Sequence, residues 1–226
     1  MAPVLRNIIV ASLSIIYVFT VVGVMDFFVK KGLPPEISRK IVHIAAGSWL
    51  IFWPLFDLSS WTKYLNICPA LIWTILLLIK GFSAKEDDRA VKTMTRTGDR
   101  SELLRGPLYF TLVMNVMGTL FLYSPGALIS MGLLSWGDGL APIFGKRFGK
   151  HPYKIFTEKT VEGSIAFVFF GLLGSVLFCY LLLGRIDFQI IGISTIVAAV
   201  VEGCSPKDWD NILIPVSTML VYYFYL

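Results

Sequence analysis

Apolar blocks long enough to cross a bilayer recur along this chain, and they leave few folds open to it. A spanning helix needs roughly 20 apolar residues at ~1.5 Å rise each. Eight candidate spans can be drawn, at 7–29, 38–56, 63–80, 106–123, 125–145, 162–183, 187–202 and 211–226, the seventh and eighth being short. The chain is 56% hydrophobic and only 15% charged, with a mean hydropathy of +0.73. A soluble domain carries about a quarter of its residues charged. The expected fold is therefore all-α: a polytopic transmembrane helical bundle forming one domain over 1–226, with no visible repeat and no flexible linker. The first block runs from Ile8 to Phe28 with no small-residue cleavage site after it, so it reads as a retained span rather than a signal peptide. No transit peptide is evident ahead of it. Cys68, Cys179 and Cys204 lack disulfide or zinc-ligand spacing.

Charge supports an even number of spans. Connections one, three, five and seven hold all but three of the 20 basic residues, leaving Arg6, Lys63 and Arg185 for the other side. The positive-inside rule assigns the basic edge to the cytoplasm or its stromal equivalent. That edge serves as a topology signal, and it also attracts anionic headgroups or a nucleoside triphosphate. No pattern calls for nucleic acid. Asp138, Glu158, Glu162, Glu202, Asp208 and Asp210 fall in or beside the same loops. Acids contribute little to topology, so they need another reason.

Five segments carry that reason. In Gly137-Asp138-Gly139 and the run to Gly145-Lys146 and Gly149-Lys150, Asp138 lies eight residues before Lys146. On a helix that is ~12 Å inside the edge. A carboxylate at that depth faces a cavity or a partner, the glycines admit another backbone or a ligand, and Pro142 is expected to break the helix. Lys159-Thr160 and Glu162-Gly163-Ser164 open the sixth span. Thr160 or Ser164 can cap it, and Glu162 suits a helix start. The helix start with Lys159 also makes a phosphate seat, to which Glu162 adds a carboxylate for Mg²⁺. No Walker-type loop is present. Glu202 and the turn to Asp208, Asp210 and Asn211 form a third acidic element. Arg39 and His43, four apart, share one helical face, and Lys40, three before His43, is also adjacent to it; His43 acts either as a structural hydrogen-bonder or as a phosphate contact or proton relay. Residues 94–109 read as an amphipathic surface helix and a re-entry turn, serving as an interfacial anchor or a substrate gate.

Together these segments resemble the polyprenol kinase family of phytol, farnesol and dolichol kinases. The resemblance rests on Arg-Lys-x-x-His at 39–43, Thr-Gly-Asp-Arg-x-Glu-Leu-Leu-Arg-Gly-Pro-Leu-Tyr at 97–109, and Gly-Asp-Gly-x-Ala-x-x-x-Gly-x-x-x-Gly at 137–149. Lys-Thr-x-x-Gly-Ser at 159–164 and Glu…Asp-Asn…Pro at 202–215 complete it, in order over nearly the whole chain. The 97–109 stretch is most similar to the phytol and farnesol branch. The resemblance implies transfer of the γ-phosphoryl group of CTP to a long-chain isoprenoid alcohol. Part of 138–163 is also similar to the CDP-diacylglycerol synthase signature, but the His-Gly-Gly…Asp-Arg-x-Asp ending is absent. Asp210-Asn211 stands there instead. A CTP-dependent dolichol or diacylglycerol kinase is a related alternative. A transporter would place polar residues at the midplane in inverted repeats, whereas these cluster at one edge.

Phosphoryl transfer needs charge neutralisation and in-line positioning. Asp138 is expected as principal Mg²⁺ ligand, aided by Glu162 and Asp210. Lys146, Lys159, Arg39 and Lys40 would meet phosphate oxygens. Thr160, Gly137, Gly139, Gly145, Gly149 and Gly163 would allow close nucleotide approach. Glu202, His43 or another carboxylate would accept the alcohol proton.

Overall fold

A computed structural model describes residues 2–85 and 87–225, the side chain of Arg89 excepted. The chain groups into two compact units, Met1–Leu120 and Phe121–Leu226. Leu226, the last residue of the eighth predicted span, lies outside the described residues.

In the first unit, α1 spans Pro3–Lys30, α2 Pro35–Gly47, α3 Cys68–Ser83, α4 Arg89–Met94 and α5 Gly106–Leu120. Prolines in the first turn open α1, α2 and α3, where a missing N–H costs nothing. After α2 the chain tightens into a 3₁₀ helix over Ser48–Leu55, which contains Pro54. A second 3₁₀ stretch, Trp61–Ile67, leads into α3. The buried Trp49 indole donates to the Asn66 carbonyl, and Asn7 donates to the Asp57 carbonyl and to Thr62. These bonds satisfy polar groups between apolar helices, where an unpaired amide is costly.

The second unit begins with α6 (Pro125–Gly132), a π turn (Leu133–Gly137) and α7 (Asp138–Phe148), which follow without a break. Two three-residue strands, β1 (Pro152–Lys154) and β2 (Glu158–Thr160), pair antiparallel as a hairpin. Then come α8 (Val161–Leu183), α9 (Phe188–Gly203) and α10 (Asp210–Tyr225). Gly184, at φ +64°, ends α8 in the left-handed cap that glycine adopts without strain. Asp187 caps α9 by accepting from the Gln189 and Ile190 amides.

Pro142 does not break the helix. It lies inside α7, and the irregularity sits upstream, where the ladder loosens and the Asp138 amide donates to the Leu133 carbonyl five residues back.

The α6–α7 rod packs on α8 along glycines. A Cβ on Gly132 would come within 2.4 Å of the Ser175 amide nitrogen, and one on Gly145 within 3.4 Å of the Gly163 Cα. Small residues at such a crossing let backbones touch, as membrane helices require when apolar side chains alone give no drive to associate.

The fold is an all-α membrane architecture. Helical segments occupy each of the eight predicted intervals. Among the described residues, four are long and apolar enough to cross a bilayer: Pro3–Lys30, Trp61–Ser83, Pro125–Phe148 and Val161–Leu183. Phe188–Gly203 is a shorter apolar helix. α1 and α8 carry apolar residues outward, such as Ile16, Ile165 and Phe169, as lipid-facing helices do.

Candidate active site

The acidic end of the second unit is organised around Lys159, the middle residue of β2. Its ammonium donates to the Glu202 carboxylate Oε1 at 2.5 Å and to the Glu202 carbonyl at the last turn of α9. The pair is secluded, with side-chain exposures of 16% for Lys159 and 7% for Glu202. Burial alone would lower the Lys159 pKa. The Glu202 carboxylate, with Asp210 and Asp138 adding to its field, outweighs burial and holds the ammonium above its usual value. Lys159, Glu202, Asp138 and Asp210, which the sequence singles out from three separate segments, thus share one electrostatic neighbourhood.

Asp138 is buried on the first turn of α7 and Glu202 on the last turn of α9. Asp208 takes a left-handed backbone at φ +70°, which Asp tolerates better than most residues. That turn sets Asn211 beside it. The Asn211 amide group donates to the Asp208 carbonyl and to Asp210 Oδ1, while its own Oδ1 is buried with no hydrogen-bond partner.

Other expected ligand-binding groups are used within the protein. Thr160 Oγ1 caps α8 by accepting from the Gly163 amide at 3.1 Å. It also fills the space a Cβ on Gly145 would need, coming within 2.8 Å. Gly145, Gly149 and Gly163 therefore pack on Thr160 and on one another, and Gly137 packs on Phe167. Gly139 is buried within α7. Lys146 is exposed on the last turn of α7. The Glu162 carboxylate lies 2.7 Å from His151 Nδ1 and also accepts from the His151 amide.

Sequence reasoning passed over His151 and Tyr153. The Tyr153 hydroxyl is 2.7 Å from Ser164 Oγ on α8, and a Cβ on Gly203 would come within 2.9 Å of it. The only signal was an aromatic residue set between lysines in a polar loop.

In the first unit, Lys40 is buried, while Arg39 and His43 are half-buried on α2. The His43 imidazole stacks on Phe110 of α5, with ring centroids 3.9 Å apart. Residues 95–105 are not a surface helix. They fold as a self-capped turn around a five-residue 3₁₀ segment, Arg100–Leu104. Asp99 accepts from the Ser101 amide and hydroxyl, Glu102 accepts from the Arg96 amide and Thr97, and Arg100 donates to the Ala84 carbonyl. These local side-chain bonds outcompete a continuous helix.

Among the described residues no three Asp, Glu, His or Cys side chains converge as a ready-made metal cage. The donor set nevertheless suits Mg²⁺. This ion prefers hard oxygens and is commonly held by one or two carboxylates plus substrate phosphates. Asp138, Asp210 and the unpartnered Asn211 Oδ1 are donors of that kind.

A helical membrane protein with a buried lysine–carboxylate pair and further acids beside it at the ends of its helices is the class that fold and site define. No family model and no solved structure matches the chain. Among curated proteins, it is 35% identical over 206 residues to a probable phytol kinase 1, chloroplastic, of Glycine max, covering 85% of this chain and 68% of the relative. It is 34% identical over 202 residues to phytol kinase 1, chloroplastic, of Arabidopsis thaliana, covering 83% and 66%. To the farnesol kinase, chloroplastic, of the same plant it is 33% identical over 183 residues, covering 78% and 59%. The chain belongs to the polyprenol kinase family, in its phytol and farnesol kinase branch.

Proposed function

We propose that this protein transfers the γ-phosphoryl group of CTP to the hydroxyl of a long-chain isoprenoid alcohol of the phytol, farnesol or geranylgeraniol kind. The secluded Lys159–Glu202 pair, in the field of Asp138 and Asp210, carries the reading. A site for phosphoryl transfer has to present cations to phosphate oxygens and a carboxylate to the incoming hydroxyl, out of bulk water. The names of the relatives support the alcohol as acceptor.

Asp138 and Asp210, with Asn211 Oδ1, would hold Mg²⁺ against the phosphates. When bound, the ion neutralises charge on the transferring group. Lys159 approaches the phosphate oxygens from Glu202, to which it is bonded in the resting protein. Lys146, exposed on α7, supplies a second cation. Glu202, once its ammonium partner turns to the phosphates, accepts the alcohol proton. Arg39, Lys40 and His43 supply the basic element of the first unit, with His43 as the competing candidate for that base. Glu162 has a lesser part, since its carboxylate is engaged by His151.

We read the eight helical segments as eight spans and the whole chain as one kinase domain, with its basic edge on the cytoplasmic or stromal-equivalent side. The test is purified protein supplied with γ-labelled CTP, Mg²⁺ and a panel of phytol, farnesol, geranylgeraniol, dolichol and diacylglycerol. A labelled isoprenyl monophosphate is the expected product. Pyrophosphate released on adding phosphatidic acid, with no labelled alcohol, would favour a cytidylyltransferase instead. Parallel runs with ATP, GTP and UTP test the choice of nucleotide.

A further inference from the structure

The hairpin between α7 and α8 occupies 149–160, and both helices that bound it belong to candidate spans, Pro125–Phe148 and Val161–Leu183. Hairpin tips on water-facing surfaces favour Gly, Asn, Asp, Ser and Pro. This tip is Ile155-Phe156-Thr157, with Ile155 56% and Phe156 63% exposed.

Three contacts fix how the hairpin lies. Tyr153 bonds Ser164 on the first turn of α8, Lys159 bonds Glu202 at the end of α9, and Thr157 Oγ1 donates to the Ser205 carbonyl just beyond it. The hairpin therefore lies down across the ends of α8 and α9 instead of standing away from them. The candidate spans Pro125–Phe148 and Val161–Leu183 both end at this hairpin, so its tip stays beside their ends.

Two more exposed aromatics share this end of the unit: Trp209, four residues after Ser205, and Phe148, the last residue of α7. The exposed charges around them are Lys146, Arg147, Lys150, Lys154 and Lys207 against Glu158. The Arg147 guanidinium stacks over the Phe148 ring. Apolar and aromatic side chains rimmed by basic ones match the headgroup layer of an anionic membrane, which takes rings at the interface and attracts Lys and Arg.

We infer that the hairpin tip, Ile155 and Phe156, together with Trp209 is a foot seated in the anionic headgroup layer of the bilayer that the helices cross. Because the same hairpin carries Lys159, the foot fixes the depth of that ammonium relative to the lipid surface. This inference rests on the membrane fold and stands apart from the proposed reaction.

The test uses the full chain carrying Cys68→Ser, Cys204→Ser and Phe156→Cys, with Cys179 left buried, labelled at the new thiol with an environment-sensitive fluorophore. The protein is reconstituted into phosphatidylcholine vesicles with and without phosphatidylglycerol. A blue-shifted label is expected, quenched at least threefold more by a lipid spin-labelled near its headgroup than by aqueous iodide. Phosphatidylglycerol should widen that ratio. Strong iodide quenching with no lipid quenching would place the tip in water and overturn the inference. Protection from both quenchers would mean protein covers the tip, a second copy for instance, and would overturn it equally. A label at Ile155→Cys gives the same readout should the first variant fail to fold, and neither requires catalytic activity.

Discussion

Replacing Lys159 by Met keeps most of the side chain's bulk and removes its charge, leaving the Glu202 carboxylate only 7% exposed without its ammonium. Breaking a buried pair by removing one partner costs ~3–5 kcal/mol, because the remaining charge is stranded. The pair lies at a helix end, not in a deep core, so about 3 kcal/mol is the working figure. For a chain of this size 1 kcal/mol moves Tm by about 2–4 °C, which makes the expected drop roughly 6–12 °C. The double variant Lys159→Met, Glu202→Met removes both charges and should recover most of that loss, since an apolar replacement of a whole buried pair is often neutral or better. Phosphoryl transfer should be absent in both. Thermal unfolding in detergent followed by intrinsic fluorescence, alongside the labelled-CTP assay, measures the two properties separately. A double variant as unstable as the single would refute the electrostatic account. One that regained activity with its stability would reduce the pair to a packing role.

Asp138→Asn should abolish turnover while Tm stays within about 2 °C of wild type, since the amide keeps the volume of the buried group; an equal loss of folding would assign Asp138 to packing. Gly132→Ala should lower Tm by roughly 2–12 °C, because its Cβ would meet the Ser175 backbone and overpacking costs ~1–3 kcal/mol; Gly192→Ala, with open space around it, is the matched control and should not lower Tm. Asp88 caps α4 through the Ala90 amide and is bonded by Lys80 at 2.6 and 2.8 Å. That ammonium holds its carboxyl below the usual range. Its contribution is therefore present above about pH 3.9 and lost as pH falls through the lower folded value. Asp88→Ala should cost about 1 kcal/mol near neutrality, and the difference in denaturation midpoint should close in acid.

Apolar runs made the helical intervals legible, because spanning segments leave a composition signal that no tertiary contact is needed to read. Asp138, Glu202 and Asp210 stand out in the sequence for the converse reason: charge is expensive beside hydrocarbon, so its presence there asks for a use. The Lys159–Glu202 bond was not legible, since 43 residues separate the partners and only the folded hairpin brings them together. Strands of three residues are too short to show a period, so β1 and β2 left no pattern either. Gly145 and Gly163 illustrate a deeper ambiguity. A glycine kept for a nucleotide and a glycine kept for a neighbouring helix both need a missing Cβ, and the structure assigns the space to Thr160 and the facing backbone. Pro142 misled because a helix can absorb a proline without ending, and α7 runs on past it to Phe148.

The loosened turn over Leu133–Gly137 acts as a phase shifter. A π turn accommodates one residue more than an α turn, and each residue on a helix accounts for about 100° of rotation. Every side chain of α7 is thereby advanced against the α6 face, while the axis runs on and the glycine seam with α8 stays closed. Deleting one residue between Leu133 and Gly137 would leave a regular helix of nearly the same length and composition. It would also swing Asp138 by about a quarter turn from its present facing. Over this stretch, the local irregularity of the backbone, more than the choice of side chains, sets which way the carboxylate points.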